Sequence, residues 1–352
     1  MRVVVVGAGL GGLAAACHLV GDGHQVTVVE RSPLPGGRAG LWEPAGYRID
    51  TGPSVLTMRD LLERTFAAAG ADMDDHLRLR PLDPMYRATF PGQGDIYVRR
   101  GRRAMVEEIR QTCGAADAAA FERFSDWLER LYRVEMASFI DRNFDSPLDL
   151  GRPAAPVLAL ARLGAFRRLA TVVESFFADQ RLRQLFSFQS LYAGLSPFDA
   201  LAVYAVITYM DTVEGVWFPE GGIHAVARGL QEAAVKGGAT FHFGAGAVGI
   251  TRSGSSGGAV TGVDLVNGDH IGADAVVANP ELPAVYRELL PGVPLPLRAR
   301  RAEYSPSCVL WLAGVRGEAP PAAAHHNVHF GADWRGSFDA LLRHGVRQPD
   351  PS

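Results

Sequence analysis

The first 54 residues constrain this chain more than any other stretch. Residues 3–6 are four consecutive valines, and they run into a glycine turn at Gly7, Gly9 and Gly12. Small residues then continue from Leu13 to Val20, and a second β-branched segment, residues 25–29, ends at Glu30. Strand, glycine turn, helix, strand and acid follow in the order that a dinucleotide-binding βαβ unit requires. Gly7 permits the tight turn out of the strand. Gly9, without a Cβ, lets a pyrophosphate approach the backbone, and Gly12 lets helix and strand pack closely. The helix N-terminus offers free N–H groups and the positive end of its dipole to a phosphate. Glu30, 18 residues after Gly12, stands where a carboxylate can accept hydrogen bonds from ribose hydroxyls. A glycine-rich turn alone is a weak signal; the agreement of all five features argues against a core turn without a ligand. These residues by themselves allow either NAD or FAD.

At 352 residues, 47% hydrophobic and 21% charged, the chain is globular and long enough for two lobes. The net charge of −3 and the absence of any nucleic-acid-binding motif exclude nucleic acid as an expected partner. Lys236 is the single lysine among 35 basic residues, a bias that fits GC-rich coding. Cys17, Cys113 and Cys308 are odd in number and lack CxxC spacing, which argues against a disulfide framework or zinc site and for a reducing compartment. The neighbouring His325 and His326 read as a loop feature, and no metal is expected. The apolar N-terminal run is broken by its glycines, so it does not read as a signal peptide. Residues 200–210, the most apolar later stretch, are about half the length of a spanning helix, so no transmembrane helix is expected.

Further along, residues 46–50 read as a strand before Thr51, Gly52, Pro53 and Ser54. Residues 58–69 show helical spacing, with Leu61, Leu62, Phe66 and Ala69 on one face. Residues 86–90 and 95–99 flank Pro-Gly-Gln-Gly and read as a hairpin opening a second lobe. From 103 to 192 the pattern is helical, with Phe121, Phe124, Trp127, Leu128 and Leu131 at steps of three and four. A helix is expected over 198–210 and another over 223–235. Short strands follow at 240–243, 248–251, 260–266 and 275–278, with a hairpin turn at Asn267-Gly268, and a return to the first lobe. The Ser/Gly run 253–258 reads as a hairpin loop, and residues 309–315 and 328–331 as strands of the second lobe. The expected segmentation is 1–75 and 216–290 for a discontinuous nucleotide-binding domain, with 76–215 and 291–352 for a second domain.

Several stretches together resemble carotenoid desaturases of the bacterial phytoene desaturase type, within the flavin amine oxidase-like group. They are VVVVGAGLGGLAAA, VVERSPLPGGRAG, YRIDTGPSVLT, FSFQSLYAGLSP, VWFPEGGIHAVARGL, DAVVANPELPAVYRELLP and HHNVHFG. The match runs over essentially the whole chain. It implies an α/β fold: a Rossmann-type FAD-binding domain in discontinuous segments and a second α+β substrate domain with a helical insert, for which membrane association is one of two readings. It implies FAD rather than NAD. Gly7, Ala8, Gly9, Gly11, Gly12, Glu30 and Arg31 would hold the ADP half, and Gly37 and Arg38 would lie near the pyrophosphate. Gly52, Pro53 and Ser54 would lie near the flavin, and the strand around Val248 would offer backbone to the adenine. Arg38 suits this role as a directed, charged fork. Family members are longer and end in a second glycine-rich segment over the flavin. Nothing after Gly331 resembles it, so the chain reads as C-terminally truncated.

The implied reaction removes hydrogen from a long polyene such as phytoene, toward lycopene, with hydride passing to the flavin and a proton leaving the neighbouring carbon. No catalytic residue is assigned. Asp141, Arg142, Asp145 and Asp149 form a charged cluster that reads as a solvated linker rather than a substrate-positioning group. The water-insoluble substrate implies a cytoplasmic protein held peripherally at the inner face of the membrane. Residues 151–187 carry six arginines (152, 162, 167, 168, 181 and 183) against Glu174 and Asp179, a local +4. Val157, Leu158, Leu160, Ala161, Leu163, Phe166, Leu169 and Val173 stand between them. This is either a basic amphipathic face for anionic lipid or a core-packed segment with solvated arginines. Other readings of the same fold are a carotenoid isomerase, ketolase or amine oxidase, or a non-catalytic lipid-binding protein.

Overall fold

The computed structural model describes residues 1–144, 146–254, 258–302 and 304–348. Asp145 of the charged cluster and part of the 253–258 run lie outside them. The chain divides into two compact units. Unit 1 is Met1–Arg80, Trp217–Glu303 and Leu310–Gly314; unit 2 is Pro81–Val216, Tyr304–Val309 and Val315–Ser352.

Unit 1 is built on a four-stranded parallel sheet. Strand β1 (Arg2–Val6) leads into helix α1 (Leu10–Gly21) and strand β2 (Gln25–Glu30). Helix α2 (His224–Lys236), strand β3 (Thr240–Phe243) and strand β4 (Ala275–Ala278) come from the later segment. The sheet order is β4-β1-β2-β3, with every neighbouring pair parallel. Parallel strands are covered on both faces, and for that reason β1 is an unbroken apolar run rather than an alternating one. Val5, Val26 and Val28 pack toward Leu13, Ala16 and Cys17 of α1 and Leu230 and Ala233 of α2. Val4, Val6 and Val29 join Val263, Leu265, Val285 and Leu289 in a separate core on the other side. An antiparallel sheet of Ala247–Arg252, Val260–Leu265 and His270–Gly272 contributes to that second core. Helix α1 begins at Leu10, three residues earlier than its apolar spacing predicts, because Gly9 accepts the first helical bond, from Leu13 N–H at 2.9 Å.

Unit 2 carries the hairpin Tyr86–Phe90/Gly94–Val98, with Asn327–His329 added in parallel to its first strand. The helices Arg102–Thr112, Ala115–Glu135, Ala154–Arg162, Leu169–Phe176 and Gln180–Leu185 follow the hairpin. The aromatic residues that mark the helical spacing face each other. Phe124 has Trp127, Phe176, Phe177 and Phe186 within 5.2–5.7 Å between ring centroids. This apolar face is therefore a core, stabilised by area burial and edge-to-face geometry.

The α/β class expected from the sequence holds. Three elements differ. Residues 46–50 reduce to Ile49–Asp50, paired with Leu41–Trp42. The helix expected over 198–210 begins only at Ala202, because the N–H groups of Ala202 and Val203 bond to Arg167 and Ala165 carbonyls instead. It then passes through Ala205–Thr208 into a π-helical turn, Tyr209–Glu214. Residues 309–315, expected as a strand, form none: they pair with no other strand among the described residues, and Val309, Trp311 and Val315 are almost fully exposed. β-branched and aromatic composition favours a strand only where a neighbour supplies the ladder.

Candidate functional site

The glycine turn, the GGRAG loop and the end of β4 meet in unit 1 around a cavity of about 670 Å³, within the range of small-molecule and cofactor sites. Close packing fixes each wall. A Cβ on Gly12 would overlap the carbonyl oxygen of Gly7, so α1 is pressed against the turn out of β1 with no space for a side chain. Gly37 has φ +56°, and a Cβ there would stand 3.1 Å from the Cα of Gly9. Gly36 N–H donates to the Ala8 carbonyl at 2.8 Å, joining the second glycine loop to the first. A Cβ on Gly52 would overlap the Arg38 carbonyl oxygen, so residues 51–53 close the far side of the Arg38 backbone.

Glu30, almost fully buried, uses both carboxylate oxygens locally. Oε2 accepts from Ala8 N–H at 2.7 Å and Oε1 from Ser32 N–H at 2.8 Å. A carboxylate has about four lone-pair sites, so each oxygen keeps acceptor capacity toward the cavity that Glu30 lines. The N–H groups of Leu10, Gly11 and Gly12 in the first turn of α1 have no intrahelical acceptor, since the ladder begins at Leu13. Arg31 and Arg38 add positive charge to the wall. This donor set fits the diphosphate and ribose of a dinucleotide.

Of the residues expected at the site, Gly7, Gly9, Glu30, Arg31, Gly37, Arg38 and Pro53 line the cavity. Ala8 is buried behind it and donates to Glu30. Neither Gly11 nor Gly12 lines it: Gly11 is exposed beside the Asn279 side chain, and Gly12 is buried against the Gly7 carbonyl. Gly52 supports Arg38, and Ser54 does not line the cavity. Val248 does not line it either and is half exposed; the neighbouring Gly246 and Ala247 do. Asn279, Glu281 and Glu288 are the polar lining residues that sequence reasoning missed. Their signal lay in the DAVVANPELPAVYRELLP stretch, but nothing local to it shows that it ends beside β1. Asp50 ties two further motifs together, accepting from the N–H groups of Ile223 at 2.8 Å and His224 at 3.1 Å. Buried His224 in turn meets the Ala39 carbonyl through Nδ1 at 3.1 Å.

Residues 10–336 match the family model for flavin containing amine oxidoreductase. Over its whole length the chain is 51% identical to a phytoene dehydrogenase of Streptomyces griseus, covering 67% of that protein. The chain belongs to the carotenoid desaturase branch of the flavin amine oxidoreductases. A zeta-carotene-forming phytoene desaturase of Myxococcus xanthus is 35% identical, again across all of this chain and 67% of the relative. The chain thus spans about two thirds of the length of these relatives. The solved structure of putrescine oxidase bound to putrescine shares the fold, with a TM-score of 0.55 at 17% identity over 86% of this chain and 63% of the other. This desaturase-family chain is an FAD oxidoreductase, and its cavity fits the adenylate half of FAD on the grounds given above.

Unit 2 holds two buried carboxyl groups that the sequence did not single out. Asp211, in the π-helical turn, receives the Thr212 hydroxyl on Oδ1 at 2.7 Å, while Oδ2 has no partner among the described residues. Burial raises its pKa to about 7, against the lowering influence of nearby Thr212, Gln189 and Tyr86. Glu135 has an unpartnered Oε1, and burial raises its pKa to about 8. Folded-state values above the unfolded ones mean that the folded chain keeps each proton to higher pH. Across pH 4 to 8 unfolding therefore releases protons, and stability falls as pH rises. Asp211→Asn and Glu135→Gln, which mimic the neutral forms, are expected to flatten this fall by on the order of 1 kcal/mol per pH unit each. Urea midpoints at pH 5 and pH 8 measure it, and an unchanged slope in both variants contradicts the assignment.

Among the described residues no group of three or more His, Cys, Asp or Glu is arranged to hold a metal ion, and no helix is long and apolar enough to cross a membrane.

Proposed function

We propose that this protein desaturates a C40 carotene, phytoene toward lycopene, at a membrane surface. The observation that carries the reading is the cavity uniting Gly9, Glu30, Gly37 and Arg38 in a chain that is 51% identical to a phytoene dehydrogenase. FAD, when bound, supplies the hydride acceptor that an unactivated C–H bond needs. The chain's own residues would orient it: Glu30 would hold the ribose hydroxyls, the first turn of α1 and Arg38 would hold the diphosphate, and the Gly9–Gly37 contact keeps the two glycine loops at a fixed separation. The test is expression of the protein containing this chain in cells that accumulate phytoene, with pigments separated by chromatography. Conversion of phytoene to carotenes with longer chromophores is expected, and its loss in an Arg38→Gln control. Unchanged phytoene alongside stoichiometric bound FAD overturns the substrate while leaving the flavin site intact.

The membrane part of the proposal rests on a narrower surface than the +4 segment. Leu160, Leu169 and Val173 are buried in the core of unit 2. Arg181 donates to the Gln93 and Thr112 carbonyls at 2.7 and 2.8 Å, and Arg183 to the Phe177 carbonyl at 2.8 Å, so both brace the fold. What faces outward is Leu148, Leu150, Leu158 and Phe166, flanked by Arg152, Arg162 and Arg167. Exposed apolar side chains interleaved with arginines suit an anionic bilayer surface, which supports the reading of a cytoplasmic protein lying on the inner leaflet. Flotation with vesicles containing phosphatidylglycerol is expected to carry the wild type, and an Arg162→Gln/Arg167→Gln/Leu158→Ser variant several-fold less. Equal flotation removes this segment from the proposal.

A further inference from the structure

The Arg38 side chain is largely exposed but not unpartnered. Its guanidinium forms an ion pair with the carboxylate of Glu281, and both residues line the cavity. Each backbone is held independently. Arg38 follows Gly37, which stands on Gly9, and Gly52 closes on its carbonyl. Glu281 follows the end of β4, where Asn279 N–H bonds to the Val6 carbonyl at 3.0 Å, and its own carbonyl accepts from Ala284 and Val285. Only the two side chains are free to part. They are 85% and 65% exposed, which makes the pair weak and easily exchanged.

The charge balance gives the pair its meaning. The wall contains three carboxylates (Glu30, Glu281 and Glu288) against two arginines, Arg31 and Arg38. A site for a diphosphate thus carries more acid than base. Glu30 is committed to two backbone N–H groups. Glu281 is committed to the cation best placed, by its fixed backbone and forked geometry, to meet a phosphate. A diphosphate and the Glu281 carboxylate are rival anions for one guanidinium.

We infer that Glu281 is a placeholder for the cofactor diphosphate on Arg38, a positioning residue that holds the arginine across the cavity and yields it to the incoming phosphates. It rests on the cavity being the adenylate half-site of FAD. Competition for a binding group lowers apparent affinity by the fraction of time the group is engaged, so Glu281 sets how tightly the cofactor's diphosphate is held.

The test is calorimetric titration of ADP into flavin-stripped protein as wild type, Glu281→Gln, Arg38→Gln and the double variant. At low salt Glu281→Gln is expected to bind ADP about 1.5- to 5-fold more tightly than wild type, the size set by an exposed ion pair. The gain should shrink toward unity at 0.5 M salt, about where the Debye length falls to a few Å, and vanish in the Arg38→Gln background, as a double-mutant cycle requires. Unchanged or weaker ADP binding in Glu281→Gln overturns the inference. So does a gain that persists without Arg38, because Glu281 would then repel the ligand directly. FAD uptake followed by visible absorbance reports the site separately: uptake with a neutral Glu281→Gln sinks the inference alone, whereas no uptake and no ADP binding by wild type sink both.

Discussion

Replacing Gly12 by alanine is expected to destabilise unit 1 by about 3 kcal/mol or more and to abolish flavin retention. The added methyl group would overlap the carbonyl oxygen of Gly7. Neither partner can move: Gly7 directly follows β1, which is paired on both sides, and Gly12 lies in the first turn of α1, whose Leu13, Ala16 and Cys17 are wholly buried. Overpacking a rigid site costs about 1–3 kcal/mol where neighbours can relax and more where backbone must shift. Gly9→Ala is the matched control. Its methyl group would meet only the Asn279 side-chain nitrogen, at 3.2 Å, and would otherwise project toward the cavity. It is expected to leave the melting midpoint within a few degrees while weakening ADP binding at least tenfold. Thermal melts and ADP titrations on both variants separate the roles. Equal stability loss in the two would show that the glycines do the same job.

Glu30→Ala is expected to lower stability by about 2–4 kcal/mol and to eliminate flavin binding. The substitution strips two N–H groups, Ala8 and Ser32, of their charged acceptor. Ala8 N–H lies in a buried turn, and a buried donor left without a partner costs about 1–3 kcal/mol. Glu30→Gln tests the charge apart from the shape: one carbonyl oxygen can still accept from Ala8, but the amide nitrogen cannot accept from Ser32 or from a ribose. It should recover about half of the stability and little of the flavin. Urea melts and bound-flavin absorbance read the two effects. A stable Glu30→Ala variant that retains FAD contradicts the role given to this carboxylate.

Both residues were visible in the sequence because their partners are local. β1, α1 and β2 are consecutive, and glycines without side chains declare a close approach before the approaching atom is known. The same holds for Gly37 and Arg38, which matter through a short loop returning to Gly9. Asn279 and Glu281 were not visible. They reach the cavity only because β4, some 270 residues after β1, pairs with it in register, Val6 opposite Ala278. Long-range pairing of this kind has no short-range spacing to reveal it.

The helical segment shows the opposite failure. Its pattern of Phe and Leu at steps of three and four was legible, but an apolar face in a sequence does not say what covers it. The structure turns Phe121, Phe124 and Trp127 into core and leaves Leu158 and Phe166 outside. It also recruits Arg181 and Arg183, which counted as surface charge, to satisfy backbone carbonyls. Residues 309–315 have strand composition and form no strand, because a ladder needs a partner that composition cannot supply.

By itself the sequence determined the βαβ unit, the cofactor-binding turn and the family, since each is written in contiguous residues whose sterics and hydrogen bonding are local. Tertiary structure alone decided which distant segment closes the cavity, which acids share it with Arg38, and which apolar and basic side chains remain outside. Those outcomes depend on burial and on electrostatics between residues far apart in the chain, and both exist only once the sheet has brought them together.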